Sequence, residues 1–221
     1  MKPDLRLYAL IDPDHAGGHD PADLARRVVT GGATLVQLRD KSGVTLRMIE
    51  RARALAQALA GSGVPLIVND RVDVALAAQA AGVHVGQDDM PVAEARRLLG
   101  RGAIIGLSVK TIEQARAAPL DELDYVAIGG VFATASKDNP DPPVGLDGLR
   151  RLVEAVRGRA PGFPICAIAG IDAGNAADVI AAGAGGVAVI SALSHAADPA
   201  AAAAELRRRI DGALARRSTA S

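Results

Sequence analysis

The sequence predicts an α/β protein folded as a (β/α)8 barrel, or TIM barrel, with one domain over residues 1–221. Short apolar, β-rich runs alternate with helical patterns rich in Ala, Leu and Arg, which is typical of repeated strand–helix units around a parallel sheet. Eight such units fit the 221 residues, and a chain this short favours a small closed barrel over an open doubly wound sheet. No linker or composition shift divides the chain, so we expect a single core.

The predicted elements alternate regularly along the chain. The strands are Leu7–Ile11, Thr34–Leu38, Leu66–Val68, Val83–Val85, Ile104–Leu107, Tyr125–Ile128, Ile165–Ile168 and Val187–Ile190. The helices are Pro21–Val29, Leu46–Ala60, Val72–Ala80, Val92–Leu99, Ile112–Ala117, Leu146–Arg157, Asn175–Ala182 and Pro199–Ala215. Asp20 before Pro21 is placed as a helix N-cap, and Thr111 with Gln114 has the spacing of a capping box.

Charge and composition exclude some partners. The chain has 25 basic and 25 acidic residues and no concentrated basic face, which argues against nucleic acid as the main partner. The single cysteine, Cys166, lies in an apolar strand and is predicted to be a buried thiol of a reducing compartment. The segment Val179–Ala197 is uncharged, but glycines and serines interrupt it, so a helix end and a buried strand fit better than a membrane span. With no signal-peptide pattern at the start, we expect a cytoplasmic protein with small-molecule partners. Its oligomeric state is left open, a homo-oligomer included.

The second strand ends in a cationic motif. In a barrel the active site lies where strands end, and Gln37, Arg39 and Lys41 leave one side of the chain if the strand period of two holds. A guanidinium and an ammonium together suit the oxygens of a diphosphate. The alternative is that both cations pair with Asp40 or solvent. Taken alone, the motif does not decide between them.

Two carboxylates end the next two strands. Asp70 and Asp89 follow neighbouring strands, so both can face one cavity, where a few carboxylates with water and phosphate oxygens suit Mg²⁺. The alternative is that Asp70 caps the third helix and that Asp88 or Asp89 caps the fourth. For the pair, we favour the metal.

The later strand ends carry small and hydroxyl residues. Gly170 and the segment Gly185–Ser191 accompany strands seven and eight, where barrels commonly bind a phosphate, although the glycines also suit tight turns. The long loop Gly129–Gly145 is predicted to be a lid. The four histidines form no metal set, and we find no nucleophile beside a base. A site with cations, Mg²⁺ and no nucleophile favours catalysis by stabilising a departing anion.

The ordered strand-end motifs resemble those of the thiamine phosphate synthase family, whose pattern includes Q-L-R-x-K, N-D, G-Q-x-D, G-x-S, a T-x-T-K loop and a late I-S. The corresponding segments here are Gln37-Leu38-Arg39-Asp40-Lys41, Asn69-Asp70, Gly86-Gln87-Asp88-Asp89, Gly106-Leu107-Ser108, Thr134-Ala135-Ser136-Lys137 and Ile190-Ser191. Each motif is weak alone, but their order and strand positions together are specific.

The resemblance implies a transferase of thiamine biosynthesis. It would join aminomethylpyrimidine diphosphate to a carboxythiazole phosphate, giving thiamine monophosphate, diphosphate and CO₂. The implied pyrimidine diphosphate ligands are Gln37, Leu38, Arg39, Asp40, Lys41, Asn69, Ser108 and Lys137. The implied thiazole phosphate ligands are Thr134, Ser136, Gly170, Ile190 and Ser191, and Ala135 is implied to bind substrate as well. Asp70 and Asp89 would hold Mg²⁺, and Arg39, Lys41, Ser108 and Lys137 would act in catalysis as the diphosphate leaves before the thiazole nitrogen attacks.

Two departures and three other interpretations stand beside this resemblance. Ala133 replaces a proline of many members, and Ser136 replaces the second threonine while keeping a hydroxyl. A thiazole-isomerising relative shares the fold but lacks parts of the diphosphate and metal set, which is complete here. A sugar-phosphate isomerase or epimerase would need a placed base, and a silent regulator would bind thiazole phosphate without turnover.

Overall fold

The computed structural model of the chain describes residues 3–134 and 142–219, and within these ranges eight parallel strands close into a barrel in sequential order. The predicted barrel is therefore confirmed. The strands are β1 (Leu7–Ile11), β2 (Leu35–Leu38), β3 (Leu66–Asn69), β4 (Gly82–Val85), β5 (Ile104–Val109), β6 (Tyr125–Ile128), β7 (Ile165–Ile168) and β8 (Gly186–Val189).

Helices on the outside follow the strands. Within the described residues they are α1 (Pro21–Thr30), α2 (Thr45–Ala58), α3 (Val72–Ala78), α4 (Val92–Leu99), α5 (Ile112–Ala117), α6 (Gly145–Arg157), α7 (Ala176–Ala181), α8 (Ser191–Ser194) and α9 (Pro199–Thr219). All eight predicted helices are confirmed in position, with ends that differ by up to four residues. The short α8 and a 3₁₀ turn at Pro13–His15 were not predicted, because so few residues show no periodicity.

Two predicted helix starts have the expected hydrogen bonds. The Asp20 carboxylate accepts a hydrogen bond from the backbone N–H of Asp23, 2.9 Å away, at the start of α1. At α5, the Thr111 side chain accepts from Gln114 N–H while the Gln114 side chain accepts from Thr111 N–H, so the capping box is confirmed. These local interactions fix where the chain leaves each loop.

Strand side chains alternate between two apolar layers, as the strand period of two requires. Leu7, Ala9 and Ile11 of β1 belong to the layer between the sheet and the helices. Tyr8 and Leu10 of the same strand point into the barrel, where they join the inner cluster. The other buried members of that inner cluster are Leu5, Leu35, Ile67, Tyr125, Ala127, Cys166 and Ala188. The barrel is thus filled below and open at the carboxyl ends of its strands.

The inner layer depends on one glycine. A Cβ atom at Gly106 of β5 would lie 2.0 Å from Cζ of Tyr125, so only glycine leaves room for that ring. The Tyr125 ring meets the Tyr8 ring edge-on, with centroids 5.9 Å apart. This packing brings two phenol groups to the barrel axis.

The uncharged segment Val179–Ala197 forms the end of α7 and strand β8, which confirms the predicted helix end and buried strand, and then helix α8. No helix in the described parts of the chain is long and apolar enough to cross a bilayer. Cys166 on β7 is fully buried, and burial raises the pKa of its thiol to about 12. The prediction of a buried thiol is confirmed.

Candidate active site

A cavity of about 950 Å³ opens at the carboxyl ends of the strands. Every strand, or the loop directly after it, contributes at least one side chain or backbone segment to the lining. One lining residue from each of the eight is Tyr8, Gln37, Asn69, His84, Ser108, Gly129, Gly170 and Ser191. The predicted strand-end residues therefore meet in one place, as the barrel topology requires.

Residues of β2 and its loop alternate between the cavity and the outside. Gln37, Arg39 and Lys41 line the cavity, which confirms that they leave the chain on one side. Leu38 packs between the sheet and the helices, and the buried Asp40 accepts a hydrogen bond from Arg51 Nη1 at 2.7 Å. The expectation that the side chains of Leu38 and Asp40 contact a ligand is corrected, because the period of two directs both away from the cavity.

Asp40 also fails as a partner for the two cations. Burial alone would raise the pKa of Asp40, but hydrogen bonds from Arg51 and from Ser42 hold that pKa below its usual value. Arg39 instead donates through Nη1 to Asp12, and Lys41 donates through Nζ to Asp70. The alternative in which Asp40 neutralises both cations is therefore wrong.

A chain of hydrogen bonds crosses the cavity floor. Gln37 Nε2 donates to the Tyr8 hydroxyl, which lies 3.0 Å from the Tyr125 hydroxyl. His84 joins the chain through Nδ1, 2.8 Å from the Tyr125 hydroxyl, and through Nε2, 2.8 Å from Ser108 Oγ. Both ring nitrogens of His84 therefore have partners at the cavity floor. Burial raises the pKa of both tyrosines well above the usual value, so the phenols stay protonated.

One atom of this floor lacks a partner. Within the described residues, Oε1 of Gln37 is buried and accepts no hydrogen bond, while Nε2 of the same amide is held by Tyr8. A buried acceptor without a donor lowers the stability of the protein. A ligand N–H group that donates a hydrogen bond to this oxygen would recover that free energy. The floor is therefore built to receive a hydrogen-bond donor.

The two predicted metal ligands, Asp70 and Asp89, line the same rim. Asp89 Oδ2 accepts a hydrogen bond from Gly86 N–H at 2.7 Å. Burial raises the pKa of the Asp89 carboxyl and the neighbouring Asp70 carboxylate raises it further, although Gly86 N–H and Lys41 act in the opposite direction. The two carboxylates are thus close enough to interact.

Neither aspartate caps a helix. Helix α3 has Arg71 at its N-cap position and helix α4 has Pro91, and neither end has a side-chain capping bond. The capping alternative is therefore wrong. Across residues 3–134 and 142–219, no group of three or more His, Cys, Asp or Glu side chains could hold a metal. Two adjacent carboxylates remain, and this donor set fits Mg²⁺, which takes one or two carboxylates and completes its shell with water and phosphate oxygens.

The opposite rim is formed by the loops after β6, β7 and β8. Thr134, Gly170, Ile190 and Ser191 line it. Gly170 has a φ of 64°, and a Cβ atom there would lie 2.4 Å from the carbonyl oxygen of Ala133. Glycine is therefore required where the β6 and β7 loops cross, and the crossing brings Thr134 beside the β7 loop.

Part of the predicted phosphate segment is corrected. Gly185 precedes β8 and Gly186 begins it, so both lie at the amino end of the strand, away from the cavity. A Cβ atom at Gly186 would lie 1.7 Å from the carbonyl oxygen of Leu5, so this glycine serves close packing beside β1. Ile190 and Ser191, at the other end of that segment, do line the cavity, together with Ala188 and Val189 of β8.

Three predicted site residues lie outside the described part of the chain, and several residues that line the cavity were not predicted. Ala135, Ser136 and Lys137 belong to residues 135–141, outside the described part of the chain. The cavity is also lined by residues that sequence reasoning did not assign to the site: Tyr8, Leu10, Lys110, Gln114 and Asp172. Gln87, quoted only as part of a motif, donates through Nε2 to the carbonyl oxygen of Ser108 at 2.6 Å. Tyr8 lies inside an apolar run, which hid it among core residues.

Comparison with known proteins gives consistent matches. A family model described as thiamine monophosphate synthase matches residues 7–193. The thiamine-phosphate synthase of Agrobacterium fabrum is 52% identical over 213 residues, which are 96% of this chain and 97% of that protein. The enzyme of the same name from Albidiferax ferrireducens is 50% identical over 208 residues, covering 94% and 92% of the two chains. Among solved structures, thiamine phosphate pyrophosphorylase from Pyrococcus furiosus superimposes with a TM-score of 0.83 at 36% identity, covering 96% of this chain and 98% of that one.

Proposed function

Because the chain belongs to the thiamine monophosphate synthase family, we propose that its cavity joins a pyrimidine diphosphate to a carboxythiazole phosphate. The activity is that of a thiamine-phosphate synthase, a transferase of class EC 2.5.1.3. The products are thiamine monophosphate, diphosphate and CO₂.

The pyrimidine occupies the cavity floor in this proposal. Its amino group donates to Oε1 of Gln37, the buried acceptor that lacks a partner within the described residues. Tyr8 holds Nε2 of the same amide, and the Gln37 residue lines the cavity floor. Ser108 and Asn69 border the same space and supply further polar contacts. This single unpaired acceptor carries the proposal, because it specifies an N–H group at the position next to the diphosphate rim.

The diphosphate lies above the pyrimidine, against the rim of β2, β3 and β4. Arg39 and Lys41 face it, and Lys137 is the third cation that the resemblance assigns to it. Asp70 and Asp89 would hold Mg²⁺, which when bound neutralises charge on the departing diphosphate. As that group leaves, negative charge grows on its oxygens, and the fixed guanidinium of Arg39 stabilises the charge without reorganising.

The thiazole phosphate takes the opposite rim. Gly170, Ile190, Ser191 and Thr134 border that part of the cavity, with Ala135 and Ser136 added by the resemblance. The two substrates therefore approach from opposite rims, with the reacting carbon of the pyrimidine between them. No side chain acts as a nucleophile, so the thiazole nitrogen attacks the pyrimidine cation directly after the diphosphate departs.

The test is an assay of the purified protein with both substrates and Mg²⁺, in which diphosphate and thiamine monophosphate are measured separately. We expect equal amounts of the two products. Isomerised thiazole without diphosphate would indicate the tautomerase interpretation instead. Tight binding of thiazole phosphate without any product would indicate a regulator.

A matched pair of variants tests the role of the floor. Gln37→Glu keeps the shape of the side chain and its acceptor atoms but introduces a charge, whereas Gln37→Leu removes the acceptor. We expect the Leu variant to lose roughly 100-fold in kcat/KM for the pyrimidine diphosphate, since a ligand donor would be left unpaired. Unchanged kinetics in the Leu variant would exclude the proposed contact.

A further inference from the structure

Asp12 is a buried carboxylate beside the cavity that none of the roles above uses. It follows β1 directly and is only 2% exposed. The register of β1 and β2 pairs Ile11 with Leu38, and Arg39 N–H donates to the Ile11 carbonyl at 2.9 Å. Asp12 and Arg39 are therefore neighbours across two adjacent strand ends. Arg39 lines the cavity, whereas Asp12 lies behind it.

The Asp12 carboxylate is held from two directions. Oδ2 accepts a hydrogen bond from Arg39 Nη1. Oδ1 accepts from the backbone N–H of Asp14 at 3.0 Å, which makes Asp12 the N-cap of the 3₁₀ turn Pro13–His15. His15 Nδ1 lies 3.2 Å from Oδ2, without hydrogen-bond geometry. The turn thus holds Oδ1 of Asp12, while Oδ2 of Asp12 holds the Arg39 guanidinium.

The two rim cations, Arg39 and Lys41, differ in how firmly their side chains are held. The Arg39 side chain is 13% exposed and pairs with a carboxylate that is itself fixed. The Lys41 side chain is 49% exposed and pairs with Asp70, a proposed metal ligand. Within residues 3–134 and 142–219, the Arg39 guanidinium makes one hydrogen bond, from Nη1 to Asp12. Its Nε–H and Nη2 groups are left for an anion.

We propose that Asp12 is a positioning residue that fixes the Arg39 guanidinium so that its remaining N–H groups meet the diphosphate. The inference rests on the proposed function, because that function assigns the diphosphate to Arg39. A guanidinium is a planar fork, and its value to a departing anion depends on its orientation. A buried, doubly anchored carboxylate supplies that orientation before the substrate arrives.

Electrostatic repulsion between Asp12 and the diphosphate opposes this positioning role. The negative charge of Asp12 also repels a diphosphate, and removing that charge favours binding. The Arg39 guanidinium paired with Asp12 already offsets much of this repulsion, whereas misdirecting that guanidinium removes its hydrogen bonds to the anion altogether. We therefore expect orientation to dominate. The loss should fall mainly on kcat, since the charge on the leaving group is largest in the transition state.

The test compares Asp12→Asn with Asp14→Asn. Asparagine at position 12 keeps an oxygen for the Asp14 N–H, because Asn caps as well as Asp, but it removes the charge facing Arg39. Asp14 lies on the same turn, is exposed and makes the same charge change away from the cavity. We expect D12N to lose about 30-fold in kcat/KM for the pyrimidine diphosphate and to bind inorganic diphosphate with Mg²⁺ about tenfold more weakly. D14N should stay within about twofold of the wild type in both.

A double-mutant cycle separates positioning from folding. Both quantities are measured again for R39A and for D12N/R39A, and in the R39A background D12N should change each by less than about threefold. A D12N protein that behaves like D14N while R39A is impaired would overturn the inference and leave the proposed function standing. Equal losses in both backgrounds would also overturn it, by showing a purely structural role. If the wild type makes no thiamine monophosphate, the proposed function fails, and the diphosphate-binding constants still decide the inference.

Discussion

Asp70 occupies a backbone conformation that most side chains avoid. Its φ of 61° lies in the left-handed region, which Asp and Asn tolerate better than other non-glycine residues. The Asp70 N–H donates to the His84 carbonyl at 2.7 Å, and the side chain is turned to the cavity rim. A costly conformation that aims a carboxylate at Asp89 is what a functional site, rather than a stable turn, would retain.

This geometry selects the substitution that tests the metal site. Asp70→Asn and Asp89→Asn keep the side-chain shape, and Asn keeps the tolerance for left-handed φ at position 70. We expect each variant to lose at least about 100-fold in Mg²⁺-dependent turnover, since a neutral amide is a poor Mg²⁺ ligand. The Lys41–Asp70 pair is partly exposed, so the free energy of unfolding should change by less than about 1 kcal/mol.

The measurements are Mg²⁺ titrations of turnover and denaturant unfolding of each variant. Asp88→Asn is the matched control, because Asp88 borders the same cavity beside Asp89 and carries no assigned role. It should keep turnover within about threefold of the wild type. A D70N or D89N protein that unfolds more easily yet keeps its Mg²⁺ response would remove the metal assignment.

Cys166 gives a prediction that depends on pH. A pKa of about 12 instead of 9.0 lowers the thiolate fraction about a thousandfold near pH 8, and full burial blocks access as well. We expect iodoacetamide to label the native protein at least about 100-fold more slowly than the denatured protein at about pH 8. Mass spectrometry of the intact protein follows the labelling. Equal rates in the two states would mean that β7 opens readily.

At the residue scale, the sequence predicted which side chains of one strand lie on the same side. It did not predict which side chains pair between strands. The period of two was enough to place Gln37, Arg39 and Lys41 on one side. The partner of Arg39 could not be found in this way, because Asp12 comes from another strand end 27 positions away. Such pairs depend on strand register, which the local pattern of one strand does not specify.

At the scale of elements, the packing of Tyr125 against Gly106 links β5 and β6 in addition to their backbone pairing. Gly106 leaves the space that the Tyr125 ring fills, and the Tyr125 hydroxyl then joins Tyr8 to His84. The Gly106-Leu107-Ser108 motif therefore has two roles. Gly106 leaves room for the Tyr125 ring, and Ser108 lines the cavity. A strand motif of this kind links packing to the site.

Gly106→Ala should destabilise the barrel strongly. The added Cβ would lie 2.0 Å from Cζ of the buried Tyr125 ring, so either the ring or the strand must move. We expect the free energy of unfolding to fall by at least about 3 kcal/mol, measured by urea denaturation. Gly102→Ala is the matched control, since nothing lies within 4 Å of a Cβ there, and its effect should be within about 0.5 kcal/mol.

A second variant keeps this prediction testable if G106A does not fold. Tyr125→Leu removes the ring atoms nearest to position 106, so G106A should cost much less in that background. A G106A penalty that is the same with Tyr and with Leu at position 125 would show that the clash is not its cause. A G106A protein as stable as the G102A protein would exclude the steric argument altogether.

Element positions were predictable because strand and helix patterns alternate with strong periodicity. The strands β1, β6 and β7 have the predicted bounds, and most other ends differ by one or two residues, as terminal residues usually do. Helix α8 was missed because four residues carry no periodic signal. The misplacement of Gly185 and Gly186 has a similar origin: a pair of glycines marks a turn or a close approach but not the end of the strand at which it lies.

At the scale of the whole molecule, the cavity exists only because the barrel closes. Residues from all eight strand ends meet there, although they are spread over most of the chain. Each motif alone was compatible with caps, turns or solvated loops. The topology turned separate weak signals into one prediction, because parallel strands in a closed barrel present all their carboxyl ends at one face.

The same closure predicts how ligands change stability. A ligand that contacts several strand ends binds the folded barrel and not the unfolded chain, so it stabilises the whole molecule. At 100 times its dissociation constant the gain is about 2.7 kcal/mol, which for a chain of this size raises Tm by about 5–10 °C. We expect this rise with Mg²⁺ and inorganic diphosphate together, measured by calorimetry, and a much smaller rise with either alone, because the proposed metal ligands and the proposed anion ligands lie on one rim.

Two variants locate the effect. In D70N the addition of Mg²⁺ should no longer increase the rise in Tm produced by diphosphate. In R39A the rise with diphosphate alone and the rise with diphosphate and Mg²⁺ should both be smaller, because the anion loses its hydrogen bonds to the guanidinium. D14N serves again as the unaffected control. If Mg²⁺ and diphosphate raise Tm equally in the wild type, D70N and R39A, then the ligands bind elsewhere on the barrel, and the rim formed by β2, β3 and β4 is not their site.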